Sequence, residues 1–357
     1  MKRFGVAVDI GTTTLTVGLI ELETGKEAAV FVGTNPQTKF GEDVISRLAH
    51  CIKHKTGLLE MHDAIISGIN TGIAKLTKDG NVDKADIEKL VVVGNTVMEH
   101  FFLGIAADSL AEAPYASGLQ KGIIEITAEK TGLILNKDTK IYLLPIVRSF
   151  VGSDLTAGVL CTDLFGKSGV NILIDIGTNG EMALVSDEKF LVTSTAAGPA
   201  FETSDKGMHG SEIIEAVSAM LKDGAVEKNG KLKKESRITQ HDIRRVQYAK
   251  AAIMAGMHAL INKAGFSFED ITNLYVGGKF GNFINKEAAV NIGLLPNIES
   301  DRIKAVGNTA YKGAVMALCS EEEFKKTINI AKRATHLSLF GRKEFQEEFV
   351  KQMSFNV

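Results

Sequence analysis

The stretch Asp9-Ile10-Gly11-Thr12-Thr13-Thr14 is echoed by Asp175-Ile176-Gly177-Thr178-Asn179-Gly180. Each copy closes an apolar run, Phe4-Gly5-Val6-Ala7-Val8 before the first and Ile172-Leu173-Ile174 before the second. A buried-type strand that runs into Asp, Gly and a cluster of hydroxyl or amide side chains, with a further apolar run beyond, reads as a tight hairpin. An Asp at such a strand end can reach a hydrated divalent cation. The Gly lets backbone N–H groups approach an anion, and the Thr hydroxyls add donors. One such turn is common; two in one chain point to a duplicated fold with an anion-holding hairpin in each half.

The repeat extends further. Leu90-Val91-Val92-Val93-Gly94-Asn95 is an apolar strand ending in Gly and followed by a helical pattern from Thr96 to Phe102; Leu274-Tyr275-Val276-Gly277-Gly278 is its counterpart. Leu144-Pro145 leads to Val151-Gly152-Ser153-Asp154, as Leu295-Pro296 leads to Val306-Gly307-Asn308-Thr309. Three matched features in the same order make the duplication an architectural statement. Between them, residues 5–33 read as a three-stranded meander with a turn at Glu21 to Lys26, and residues 41–76 read as helical. Met182 to Val185 and Phe190 to Thr193 pair as strands about a polar turn, and residues 240–264 form one long amphipathic helix. Strand clusters followed by helices, twice, give an α/β chain with mixed sheets. The boundary is expected near residue 165, giving domains 1–165 and 166–357. Lys222 to Arg237 is expected to be an exposed excursion. The tail after Ser320 is expected to pack, as helix, strand and helix, on the second domain.

With 357 residues, 45% of them apolar and 24% charged, the chain has the balance of a soluble globular protein with room for two cores. A net charge of −2 gives no reason to expect nucleic acid or an anionic membrane. No run of ~20 apolar residues and no signal peptide is visible, so a cytoplasmic location is expected. Three scattered cysteines, Cys51, Cys161 and Cys319, favour neither a disulfide framework nor an iron–sulfur cluster within one subunit.

Together, the two hairpins, the Gly-bearing strand-to-helix junction and the late Val-Gly-Gly resemble the ATPase superfamily of acetate kinases, sugar kinases, heat-shock chaperones and actin. That resemblance implies a duplicated actin-like (ribonuclease H-like) fold, two mixed-sheet domains around a nucleotide cleft. It also implies ATP and Mg²⁺ as cofactors. Gly11, Thr12, Thr13 and Thr14 would form the first phosphate loop; Gly177, Thr178 and Asn179 the second; Gly277 and Gly278 the adenosine motif. Asp9 and Asp175 would hold the cation's water shell, against the plainer reading that each caps a turn. Asp154 could orient the attacking water or simply cap its helix, and Glu181 could serve instead if strand alternation turns it the right way.

Longer blocks are similar to one branch, the ATP-dependent reductive activators of corrinoid proteins. They are Asn35-Pro36-Gln37-Thr38-Lys39-Phe40-Gly41-Glu42-Asp43-Val44-Ile45-Ser46-Arg47, Val93 to His100, Ala196 to Glu202 and Ala249 to Gly256. By resemblance, such a protein uses ATP to support return of a Co(II) corrinoid protein to Co(I). Typical members carry an N-terminal [2Fe–2S] domain that has no counterpart in these residues, so a separate iron–sulfur electron donor is expected in trans. The alternatives from the same fold are a small-molecule kinase, a nucleotide-dependent scaffold, and a homodimer with a [4Fe–4S] cluster bridged through Cys161 and Cys319. Lys279, Cys51-x-x-His54, His100 and His209 each read more plainly as surface or structural residues than as site residues.

Overall fold

The computed structural model describes residues 3–113, 115–119, 122–233, 237–278 and 284–355. Two compact units emerge: Met1–Cys161 with Thr309–Ala334, and Thr162–Asn308 with Thr335–Val357. In the first, β1 (Phe4–Ile10), β2 (Thr14–Glu21) and β3 (Glu27–Thr34) form the expected meander. There follow α1 (Val44–Lys53), α2 (Gly57–Gly80), β4 (Ile87–Gly94), α3 (Thr96–Leu103), β5 (Ile124–Thr127), the single turn α4 (Ala128–Thr131), β6 (Lys140–Leu143) and α5 (Ser153–Thr162). The second carries β7 (Val170–Ile176), β8 (Asn179–Val185), β9 (Phe190–Ala196), α6 (Ser211–Lys222), α7 (Gln240–Ala264), β10 (Ile271–Gly277), α8 (Lys286–Asn291) and β11 (Ile303–Gly307). The chain then adds α9 (Thr309–Cys319), α10 (Glu321–Arg333), β12 (Thr335–His336) and α11 (Lys343–Gln352).

The sheets repeat each other. Their strand orders are β3-β2-β1-β4-β6-β5 and β11-β10-β7-β8-β9-β12. In each, an antiparallel meander is extended by parallel pairing, β1 with β4 and β7 with β10. Strands β1 and β7 are central, and every residue of β1 is buried, which is why both read as near-continuous apolar runs. Val6, Val8 and Leu15 meet Ile65, Ile69 and Ile73 of α2 in the first core; Ile172, Ile174, Met182 and Leu184 meet Ile253, Met257 and Leu260 of α7 in the second.

Three elements differ from the sequence reading. The helix expected over 41–76 is two helices, because His54 adopts an extended backbone and ends α1. Around Lys222 to Arg237, Val226 is buried in the second core and forms a bridge with Leu232, so this stretch is anchored rather than a free excursion. The tail divides: α10, with α9 before it, joins the first unit, while α11 and β12, a strand at Thr335–His336 rather than the Leu337–Phe340 of the sequence reading, join the second, β12 pairing with β9. The cause is visible in α9, whose Tyr311 and Leu318 press onto Gly18 and Gly5 of the first sheet.

Candidate functional site: two phosphate-type hairpins

The first hairpin turns at Gly11, where a Cβ would stand 2.7 Å from the Thr14 carbonyl oxygen. Its three consecutive carbonyls are held from behind. Asn35 Nδ2 donates to Gly11 O at 2.9 Å, Arg47 Nη2 donates to Thr12 O at 2.6 Å, and the Asn35 N–H donates to Thr13 O at 2.8 Å. Because a trans peptide is planar, each N–H points opposite to the carbonyl it shares a plane with. The N–H groups of Thr12, Thr13 and Thr14 each point away from the braced carbonyl of their own peptide. Asp9, the penultimate residue of β1, is 8% exposed and stands opposite Thr16 across the ladder, on the same face of the sheet.

The braces are fully buried: Asn35, Gln37 and Arg47 have no exposed surface. Asn35 caps the short helical turn Pro36–Phe40 by accepting from the Gln37 N–H, and Gln37 Nε2 donates to Met61 O at 2.9 Å. Asp43 caps α1 in a reciprocal box with Ser46, which sets Arg47 in the helix's first turn and aims it back at the hairpin. The whole block from Asn35 to Arg47 is thus the backing of the first hairpin. Sequence reading marked the block by resemblance but named none of its residues for the site. The signal was the density of polar residues just before an amphipathic helix.

Asp154 lies in the first turn of α5, which begins at Ser153, so it is not the N-cap; its Oδ1 accepts the Leu155 N–H at 2.7 Å. The helix start is tied to the end of β4. Ser153 Oγ accepts the Gly94 N–H at 3.2 Å and donates to Glu99 Oε1 at 2.6 Å. Glu99 Oε1 also accepts the Ser153 N–H at 3.1 Å. A Cβ on Gly152 would lie 2.1 Å from Gly94 O, so only glycine allows the approach. Gly94 pairs with Ile10, and the ladder therefore brings Asp9, the first hairpin and the start of the Asp154 helix to one end of one sheet. Ligands of open α/β sheets collect at such strand ends.

The second hairpin turns at Gly177-Thr178, closed by Gly177 N–H to Asn179 O at 2.9 Å. Here one brace is a backbone group: the Gly198 N–H donates to Thr178 O at 2.7 Å. Asp175 and Glu181 are direct partners in the β7–β8 ladder, so both carboxylates project on the same face. Gly277 pairs with Asp175. Gly278 takes φ +102 with the site of a Cβ 2.3 Å from Ile176 O and 3.1 Å from Asp175 Oδ1. The Gly-Gly turn is thereby pressed onto the strand end that carries the second Asp. Lys279 lies outside the described residues.

Several other candidates are placed as structural groups. His100 is buried, bonded to Ala106 O and Ser117 Oγ, and burial pulls its pKa down. His209 ties the Glu202 carbonyl and the Thr203 hydroxyl. His54 stacks at 4.5 Å on His50, while burial pushes the Cys51 thiol up to about 11. Burial also raises the Cys319 thiol, which opposes the thiolate a cluster needs.

A duplicated meander-plus-parallel sheet with an Asp-Gly hairpin in each half defines the class: an actin-like, ASKHA-fold protein. Comparison with known proteins gives the branch. The description "RACo middle region" matches residues 4–167, and "C-terminal domain of RACo the ASKHA domain" matches 169–208 and 233–357. The chain belongs to the RACo family. It is similar to the corrinoid activation enzyme RamQ of Eubacterium limosum, 29% identical over 99% of this chain and 70% of that protein. To the [Co(II) methylated amine-specific corrinoid protein] reductase of Methanosarcina barkeri it is 25% identical, over 99% of this chain and 77% of that one. Among solved structures, the reductive activator for corrinoid,iron-sulfur protein superposes with a TM-score of 0.92 at 31% identity, covering 99% of this chain and 66% of the other. The chain thus spans about two thirds to three quarters of these relatives. Among the described residues, no helix is long and apolar enough to cross a membrane.

Proposed function

We propose that this chain is the ATP-binding and hydrolysing part of an activator that supports reduction of a Co(II) corrinoid protein to Co(I). The observation that carries the reading is the first hairpin, three consecutive carbonyls of which are braced by Asn35 and Arg47 just past the strand that carries Asp9. It is supported by the relatives' names, which speak of corrinoid activation and corrinoid-protein reduction.

The residues fit both implied groups. Gly11 and Gly278 hold turns in which a Cβ would collide with backbone oxygens, and the phosphates fall to Gly11–Thr14 and Gly177–Asn179. Each hairpin offers a sparse carboxylate donor of the kind that suits Mg²⁺, Asp9 in the first unit and Asp175 beside Glu181 in the second, since that ion keeps several waters and leans on phosphate oxygens. When bound, the cation would neutralise phosphate charge. Asp154, fixed through Ser153 and Glu99, is the carboxylate we assign to orienting water. Electrons come from an iron–sulfur group outside these 357 residues. The protein acts in the cytoplasm.

The test is ATP turnover with and without a Co(II) corrinoid protein. Slow basal hydrolysis that the corrinoid protein accelerates is expected, with loss of turnover in Asp9→Asn and Asp175→Asn. Equal turnover with and without the corrinoid protein would sink the activator reading. ATP consumption that yields a phosphorylated small molecule would make the chain a kinase.

A further inference from the structure

We propose that Arg47 is a positioning residue that delivers a buried positive charge to the back of the first hairpin, so that its hold on a polyphosphate depends on a side chain that never touches it. The proposal rests on the phosphate-hairpin reading above. Arg47 has no exposed surface. Its fork is spent on neutral acceptors: Nε on Gly41 O at 2.9 Å, Nη2 on Thr12 O at 2.6 Å and Nη1 against Met98 Sδ at 3.4 Å. Among the described residues no carboxylate lies within ion-pair distance of it; the nearest acidic influence, Asp43, has Oδ1 committed to the Ser46 N–H at 2.7 Å. Burial lowers its pKa only to about 10, so it stays charged at neutral pH.

A buried, unpaired cation is costly unless an opposite charge arrives. The guanidinium bonds the carbonyl of the Thr12–Thr13 peptide, whose N–H faces the other way. Its charge therefore sits directly behind the hairpin and acts on whatever the hairpin holds, in a setting where charge is weakly screened. A hydrogen-bond brace alone would need no charge, as Asn35 shows on the adjacent carbonyl. The second hairpin shows the contrast. The Thr178 carbonyl is braced by a neutral backbone N–H, and the ladder position held by Thr16 in the first hairpin is a carboxylate, Glu181, in the second. The repeats have diverged in charge: the first has a cation behind its turn, and the second has an added carboxylate on its ladder.

The experiment is calorimetric titration of the intact chain with ATP and with adenosine, for wild type, Arg47→Lys and Arg47→Gln. Lysine keeps the charge and loses the fork; glutamine keeps a donor and loses the charge. Expected is ATP affinity within a few-fold of wild type for lysine and weaker on the order of tenfold or more for glutamine, with adenosine unaffected. Equal weakening by both would reduce Arg47 to a brace, and no weakening by glutamine would overturn the proposal outright. A wild type that binds adenosine but not ATP removes the phosphate-hairpin reading and this proposal with it. Should the glutamine variant not fold by circular dichroism, the Arg47 Nε–H resonance of wild type decides. It must shift on adding ATP and not on adding adenosine, and a resonance that ignores ATP overturns the proposal.

Discussion

Glu99 spends one oxygen on both donors of Ser153 and leaves the other, Oε2, buried without a hydrogen-bond partner. Burial is the larger influence on this carboxyl and raises its pKa well above the usual 4.5, against the pull of the Ser153 bonds. The sign follows directly. The unfolded chain ionises near 4.5 while the folded chain holds the proton, so Glu99 costs stability increasingly as pH rises above that value. Glu99→Gln keeps the acceptor for Ser153 and removes the titration. Its urea midpoint should match wild type near pH 4.5 and exceed it at pH 8; a variant less stable at pH 8 would show that the ionised form is the one the fold uses. Gly278 tests the other hairpin. At φ +102, with Ile176 O 2.3 Å from where a Cβ would sit, Gly278→Ala combines a disfavoured backbone with a clash costing on the order of 1–3 kcal/mol. It should lower nucleotide affinity measured by titration more than it lowers melting temperature. The strand-end positions of Asp9 and Asp175 were legible in sequence because each comes at the end of an apolar run before a glycine turn. Arg47 and Glu99 were not, because what defines them is a partner far along the chain, Thr12 and Ser153, with no local pattern marking the meeting.

Helix α7 was readable from end to end because its apolar face keeps a helical period, Thr239 and Asp242 cap its start, and Gly265 ends it in a left-handed turn. What its pattern does not reveal is the polar group on its buried side. Lys250 has no exposed surface, and its Nζ donates to the carbonyls of Gln352 and Ser354, while Gln247 Nε2 donates to Met353 O at 2.7 Å. These are carbonyls around the end of α11, the groups a helix cannot satisfy internally. A lysine on one helix thus supplies the C-terminal cap of another, and burial lowers its pKa to about 8. Replacing it by methionine keeps the apolar stem and leaves those carbonyls unpaired, at about 1–3 kcal/mol. Lys250→Met should leave the main unfolding transition recognisable while limited proteolysis begins to cut within residues 343–355. Unchanged resistance would mean that the α7–α11 packing, with Tyr248 and Phe349 rings 5.0 Å apart, holds the tail unaided.

Duplication was visible in the sequence, but the path of the chain was not, since each repeat looks self-contained when read in order. The first unit is completed by residues that follow the second repeat: α9 and α10, Thr309–Ala334. The fit is close enough to be selective. A Cβ on Gly18 would stand 1.8 Å from the Tyr311 hydroxyl, and one on Gly313 would stand 2.0 Å from Ala157 O. Tyr311 cannot simply swing aside, because its hydroxyl donates to Glu27. Gly18 and Gly313 are the places where α9 seats on β2 and α5. Gly18→Ala should therefore cost about 1–3 kcal/mol, as overpacking does, although it adds one methyl to a strand that tolerates alanine on propensity. The larger consequence concerns fragments. A chain of residues 1–165 lacks the helix that covers Gly5 and Gly18, and it should bind a hydrophobic dye and melt without a cooperative transition. The same residues joined by a short linker to 309–334 should melt cooperatively and lose the dye. If 1–165 alone melts as sharply as the joined chain, α9 is an accessory to a unit that folds without it, and the first repeat is self-sufficient after all.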